Sequence, residues 1–184
     1  MLKIAADLMF EHGAAATSID DVKRAAKVSA AKVGYYFGDK QSLVRAVIEY
    51  QAETLIEGQR PLLDRLDNFE ALYAWRDHVV AMRMERQYIR GCPVGSLASE
   101  LADSSPALRE DIAAAFLRWR EPITAGLTAM RTRGDLRPEA DPEALSMALL
   151  AAVEGGTLLA QTLRQAAPLE AVLDAVLAHV HSLA

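Results

Sequence analysis

The sequence predicts an all-α protein of about nine helices. Three observations carry this expectation. Alanine and leucine abound while prolines number only seven, a balance that favours helix. No run alternates apolar and polar residues with the β-branched richness of a strand. Apolar residues instead recur at three- and four-residue steps, most plainly at Leu169, Val172, Leu173, Val176, Leu177, Val180 and Leu183.

A first helix spans Leu2 to His12 and stops at Gly13, a residue suited to helix C-termini. Ser18 is a good N-cap, with Asp21 as the acidic partner of a capping box. The second helix runs Ile19 to Ala26, with Ile19, Val22 and Ala26 on one face. Lys27-Val28 forms a turn with Val28 tucked inward. Ser29 caps a third, short helix ending near Phe37-Gly38, and Asp39 caps a fourth that continues towards Gly58. Pro61 and Asn68 punctuate the next region, and a fifth helix extends from Phe69 to about Ile89. Two glycines and a proline within Arg90–Gly95 predict a loop, with a short helix from Ser96 through Leu101. Ser105-Pro106 opens a long helix, which Pro122 is expected to kink or break and Gly134 to end. Asp141-Pro142 opens an apolar helix that ends near Arg164, and Pro168 opens the last.

With 184 residues, 52% hydrophobic and 24% charged, the chain suits a soluble globular protein: one moderate domain, or a small domain on a larger one. The net charge of −5 argues against a protein that coats nucleic acid indiscriminately. Its distribution is uneven. The first fifty residues hold seven Lys and Arg against six Asp and Glu, and their cations cluster between Lys23 and Arg45. One cysteine, Cys92, excludes an internal disulfide framework and fits a reducing cytoplasm. Asp7 and Glu11 break any signal-like apolar core. The most apolar stretch, Ala144 to Leu163, carries Glu154 and Gly155-Gly156 at its middle and reads as a buried helix, not a membrane span. No Gly-x-Ser-x-Gly, His-Glu-x-x-His or phosphate-loop pattern occurs, and the four histidines are scattered, so an enzyme is not expected.

The informative segment is Thr17–Leu43. Its third helix is too short to stand alone, because isolated helices below ~12–15 residues are marginal in water. It must lean inward through Val33 and Phe37, which leaves Ala30, Lys32, Gly34, Tyr35 and Tyr36 for another surface. Two adjacent tyrosines cannot both face a core from one helix. A short helix presented this way suits the major groove of DNA. Thr17 and Ser18 at one helix start, Ser29 at the next, Lys40 at the fourth and Lys27 on the rim are candidates for gripping phosphates.

Ala5-Ala6, Phe10, Gly13, Thr17-Ser18, Val22, Ala26, Val28-Ser29, Tyr35, Phe37, Lys40 and Leu43 together resemble the DNA-reading head of the TetR/AcrR family of transcriptional regulators. Residues 31–40 are similar to its Asn-Tyr-His-Phe-Gly-Ser-Lys type of signature. Three positions depart from the pattern: Lys27 stands where Gly is frequent, Lys23 where a small residue is frequent, and the basic arm ahead of the first helix has no counterpart here. The resemblance implies a helix-turn-helix domain over residues 1–45 and a ligand-binding and dimerisation domain over 46–184. Gly91 to Leu101 also resembles the LmrA/YxaF-like branch.

The body is read on its own physics. A helix apolar nearly all round, with Leu145, Met147, Leu149, Leu150, Val153, Leu158, Leu159 and Leu163, needs two packing partners. One is its own core and the other is the matching surface of a second copy, giving an interface from Ala152, Gly155, Gly156, Leu159, Leu163, Leu173, Val176, Leu177 and Val180. Trp75, His78, Val79 and Met82 share one helix face, and Phe116, Trp119 and Ile123, then Met147, Glu154 and Thr157, lie on two further helices. Singly these are ordinary core residues. Together they could line an adaptable apolar cavity. Cys92 reads as structural, since no cation beyond Arg90 neighbours it in sequence. The expectation is a cytoplasmic homodimer that binds a palindromic double-stranded operator and is released by a small apolar or aromatic inducer, with no metal or cofactor. The alternatives are an activator, or a helical small-molecule-binding protein that has lost DNA binding.

Overall fold

The structure, a computed structural model, describes residues 1–184, the side chain of Ala30 excepted. Among the described residues it is all-helical, with nine α-helices: α1 (Leu2–His12), α2 (Ile19–Ala26), α3 (Ala30–Phe37), α4 (Lys40–Glu57), α5 (Phe69–Glu85), α6 (Pro93–Leu101), α7 (Pro106–Arg133), α8 (Pro142–Leu163) and α9 (Ala167–Ser182). A 3-10 turn, Leu62–Arg65, precedes α5. The chain packs as two units, residues 1–55 with 93–116 and residues 56–92 with 117–184.

In the first unit α1 packs on α2 and α6, and α2 packs on α3. Ala5, Ala6, Val22, Val33, Leu43 and Val47 are wholly buried and form its centre. The capping signals act as their residue types require. Ser18 accepts the Asp21 N–H while the Asp21 carboxylate accepts the Ser18 N–H, a reciprocal capping box. Ser29 Oγ accepts the Lys32 N–H, and Asp39 accepts the Ser42 N–H at 2.7 Å. Glu100 of α6 reaches the α1–α2 connection, where its carboxylate accepts the N–H groups of Ala14 and Ala15 at 2.8 and 2.5 Å. Gly13 is needed there on two counts. Its φ of +89° is left-handed, and a Cβ would stand 3.2 Å from Glu100 Oε2.

In the second unit α8 and α9 form the main helix pair, with α5 against α9. A Cβ on Gly156 would lie 2.8 Å from the Leu169 Cα, so this glycine sets the close approach of α9 to α8. Arg76 grips Asp174 with two bonds of 2.8 Å, tying α5 to α9. Trp75 and Trp119 are buried, and both indole N–H groups donate to Gln59 Oε1, at 2.8 and 3.2 Å.

Three features differ from the expectation. The segment 90–95 is not all loop, because α6 starts at Pro93; proline is at home at a helix start, where its missing N–H costs nothing. Pro122 sits inside α7 without ending it, and the helix runs 28 residues. The fifth helix stops at Glu85, short of Ile89, and Gln87, Tyr88 and Arg90 then take left-handed φ of 51°, 56° and 57°. Each such residue costs ~1–2 kcal/mol, so this short connection is held against its own preference. The α8 helix is long and apolar enough to cross a membrane by composition, yet half of the relevant window is buried against protein.

Candidate nucleic-acid interface

The site is built from the turn between α2 and α3. Lys27 closes α2 in a left-handed conformation (φ 54°, ψ 44°) and its N–H returns to the Arg24 and Lys23 carbonyls. This is the geometry glycine would adopt freely, and lysine takes it at a cost of ~1–2 kcal/mol. The chain reverses, Val28 turns partly inward, and Ser29 starts α3. Val33 is fully buried and Phe37 half-buried, so one face of α3 is anchored.

The other face is open. Tyr35 is 85% exposed and Tyr36 62%. Their rings meet edge to face with centroids 5.3 Å apart, so each restrains the other in solvent. Lys32 and Gly34 are exposed beside them. A Cβ on Gly34 would find nothing within 4 Å. Ala30, expected on this face, lies outside the described side chains.

The flanking candidates divide. Ser18 and Ser29 are exposed at their helix starts, and Lys27 is exposed on the rim. Thr17 is only 3% exposed, and its hydroxyl donates to the Gly13 carbonyl at 2.8 Å. It therefore braces the turn ahead of α2 and presents no hydroxyl to solvent. Lys40 is half-buried, and its ammonium donates to the Ala15 carbonyl at 2.8 Å, which uses one of its three N–H bonds. Lys23 pairs with Asp20 at 2.6 Å, and Arg24 pairs with Asp21, so both are committed within α2. The hydrogen bonds from Ser18 hold the Asp21 carboxyl below its ordinary range, and those from Ser42 do the same for Asp39. Both caps are thus charged at neutral pH.

The expected ligand residues fall into different surroundings. Trp75, Val79, Trp119 and Ile123 are buried in the second unit. His78 is half-buried with Nε2 2.8 Å from the Gly58 carbonyl, and Met82 is half-buried. Phe116 belongs to the first unit, where it is half-buried. Met147 is 42% exposed. Glu154 is half-buried and Thr157 buried in the second unit, and Glu154 Oε1 and the Thr157 hydroxyl find no partner. A cavity of about 170 Å³ under α1, α4 and α6 involves none of these residues. It is smaller than the ~300–1,000 Å³ of ordinary small-molecule sites.

The expected dimer face is also divided. Leu173, Leu177 and Val180 are at most 1% exposed, because they fill the groove between α9 and its own neighbours. Ala152 and Gly156 are buried too, and Val176 is half-buried. The outward apolar residues are Leu159 and Leu163, joined by Leu158 and Met147, with exposed Gly155 among them. Periodicity alone merges the inward and outward faces of this helix pair.

Comparison with known proteins agrees with this architecture. Residues 1–47 match the family described as bacterial regulatory proteins, tetR family. Residues 68–176 match the tetracyclin repressor-like C-terminal domain. An uncharacterized HTH-type transcriptional regulator of Mycobacterium tuberculosis is 28% identical over 184 residues, covering 94% of this chain and 88% of the relative. The crystal structure of a TetR transcriptional regulator from Chloroflexus aurantiacus superposes with a TM-score of 0.82 at 29% identity, covering 97% of this chain and 91% of the other. The regulatory protein TetR from Rhodobacter sphaeroides shares the fold, with a TM-score of 0.81 at 21% identity, covering 97% and 95% of the two chains. These matches establish a family and not a branch within it. With both halves matched in order around a helix-turn-helix, the chain belongs to the TetR family of bacterial transcriptional regulators.

Proposed function

We propose that the chain acts as a dimeric repressor that leaves its operator when a small molecule binds its body. Residues 1–45 read DNA, and residues 46–184 carry the ligand and dimerisation functions in the cytoplasm, without catalysis. The observation that carries this reading is the open surface of α3, where Tyr35 and Tyr36 are solvent-exposed and the space over Gly34 is unfilled. Exposed aromatics on an anchored short helix have no packing role in their own chain. They suit base edges and sugars in a major groove, with Lys32 and the helix starts at Ser18 and Ser29 positioned for phosphates.

Two copies related by a two-fold axis present two such helices about 34–36 Å apart, one turn of DNA, to the halves of a palindrome. The outward apolar residues of α8 are the surface that brings the copies together. An effector releases the operator only if it prefers the non-binding state. A preference of about 2.7 kcal/mol lowers occupancy roughly 100-fold. The test is a mobility shift on the DNA flanking the protein's own gene. Tyr35→Ala is expected to abolish the shift while leaving melting temperature and oligomeric state unchanged; wild-type affinity in that variant would remove α3 from the reading role.

A further inference from the structure

The cavity of the first unit is separate from the DNA-reading surface of α3 and from the body. It lies between α1, α4 and α6 and has a volume of about 170 Å³. That is below the size of ordinary effector sites, but an apolar cavity of about 150 Å³ is enough to take up a benzene ring. Met9 of α1, Val47 of α4 and Leu97 of α6 line it, and each is at most 4% exposed. Half-buried Phe10 and Glu100 complete the wall on its outer side. A single ring fits this space with the helices where they stand.

Two acceptors on the wall set the chemistry. Gln51 of α4 is 8% exposed. Its only side-chain hydrogen bond among the described residues runs from Nε2 to the Ala6 carbonyl, at 3.3 Å. A carbonyl can only accept, so the amide nitrogen faces Ala6 and Oε1 is left without a donor. Native interiors leave few polar atoms in that state. Glu100 accepts the Ala14 and Ala15 N–H groups, one on each carboxylate oxygen, and among the described residues no Lys, Arg or His pairs with it. Each of its oxygens keeps room for a second donor. The lining thus offers oxygen acceptors, one of them charged, and holds no cation of its own. It repels an anion and leaves a purely apolar guest with no donor for Gln51. An ammonium group carries three donors and no acceptor, which complements this wall.

We infer that this cavity is a binding site for a small primary amine carried on a single apolar ring, with its ammonium paired to Glu100 and donating to Gln51 Oε1 and its ring among Met9, Val47 and Leu97. The site is additional to the effector function proposed for the body and does not rest on it. It also adjoins the reading head, because Glu100 holds the connection between α1 and α2 three residues ahead of the Ser18 cap.

The test is NMR of the full chain with isotope-labelled methionine methyl groups, titrated with benzylamine, benzyl alcohol and benzoate. The chain has six methionines, and Met9 alone is on the cavity wall. Benzylamine is expected to shift the Met9 signal in the millimolar range and to leave Met82, Met84, Met130 and Met147 of the second unit in place. It is expected to bind about tenfold more tightly than benzyl alcohol, with no shift from benzoate. Glu100→Gln keeps an oxygen for one of the backbone N–H groups but loses the charge, so amine and alcohol should then bind within about twofold of each other. Because Glu100 also braces the connection, Gln51→Met is a second variant, similar in volume, that spares Glu100 and should weaken benzylamine about tenfold. An unmoved Met9 signal, equal affinity for amine and alcohol, amine preference persisting in a folded Glu100→Gln chain, or wild-type amine binding in Gln51→Met would each overturn the inference. Shifts confined to the second-unit methionines would place the amine in the body and overturn it as well. Failure of the wild-type chain to bind DNA would instead refute the repressor reading, and the Met9 titration would still decide the amine site.

Discussion

Gly34 stands mid-helix in α3, where glycine costs about 1 kcal/mol against alanine, yet its φ is ordinary and a methyl group there would touch nothing. The fold has no need of it, which fits the proposed close approach of DNA to this face of α3. Gly34→Ala is therefore expected to stabilise the protein by ~0.5–1 kcal/mol in urea unfolding while weakening operator binding; a gain in both would contradict the groove assignment. Glu154 makes the opposite kind of statement. Burial raises its pKa above the ordinary 4.5, so the folded state holds the proton more tightly than the unfolded chain. The associated stability is full below 4.5 and is lost as pH rises through the folded-state value. Glu154→Gln removes that loss, so its unfolding midpoint is expected to gain on wild type as the pH rises above 4.5. A constant difference over that rise would contradict the shift. At this scale the sequence identified residue types well and their partners poorly. Thr17 and Lys40 were legible as hydroxyl and ammonium near a helix start, but their claim by the Gly13 and Ala15 carbonyls depends on how the chain folds back on itself.

Helix ends were the most legible feature, because caps are local chemistry. Gly13, Ser18, Ser29, Asp39 and Asp141 each act through atoms within a few residues of their own position. Where a boundary depended on tertiary support, reading failed. Gly91, Pro93 and Gly95 suggested a loop, but buried Pro93, Val94 and Leu97 hold the first turn of α6 in place. The outward and inward faces of the α8–α9 pair were indistinguishable, since an apolar stripe does not say which helix covers it. The turn between α2 and α3 offers a test on the same footing. Lys27 was legible as an outlier at a position where glycine is frequent, and it is left-handed. Lys27→Gly is expected to raise the melting temperature by relieving ~1 kcal/mol of backbone strain. A drop in melting temperature would mean that the lysine stem contributes packing that outweighs its strain.

For the molecule as a whole, the proposed function requires two heads held together, and the chain exposes a surface fit for that. Leu158, Leu159 and Leu163 are each more than half exposed and cluster on one side of α8, where isolated surface leucines would be scattered. Gly155 lies among them with nothing of its own chain within 4 Å of a Cβ, whereas neighbouring Gly156 is filled from behind by Leu169. One glycine of the pair thus serves the subunit's own packing, and the other leaves room for a helix from elsewhere. An aspartate at Leu159 would carry a charge into the centre of that contact, which is unfavourable unless it is paired. Leu159→Asp is expected to weaken dimerisation roughly 100-fold or more, about 2.7 kcal/mol, and to sediment as a folded monomer with wild-type helix content. Operator affinity should fall with it, since a single head loses the second half-site. Leu177→Asp is the control, because Leu177 is sealed in its own unit and a charge there should unfold the chain instead of dividing it. Should Leu159→Asp remain a dimer that binds DNA as tightly as before, the outward face of α8 does not join the two copies, and the pairing must use another surface.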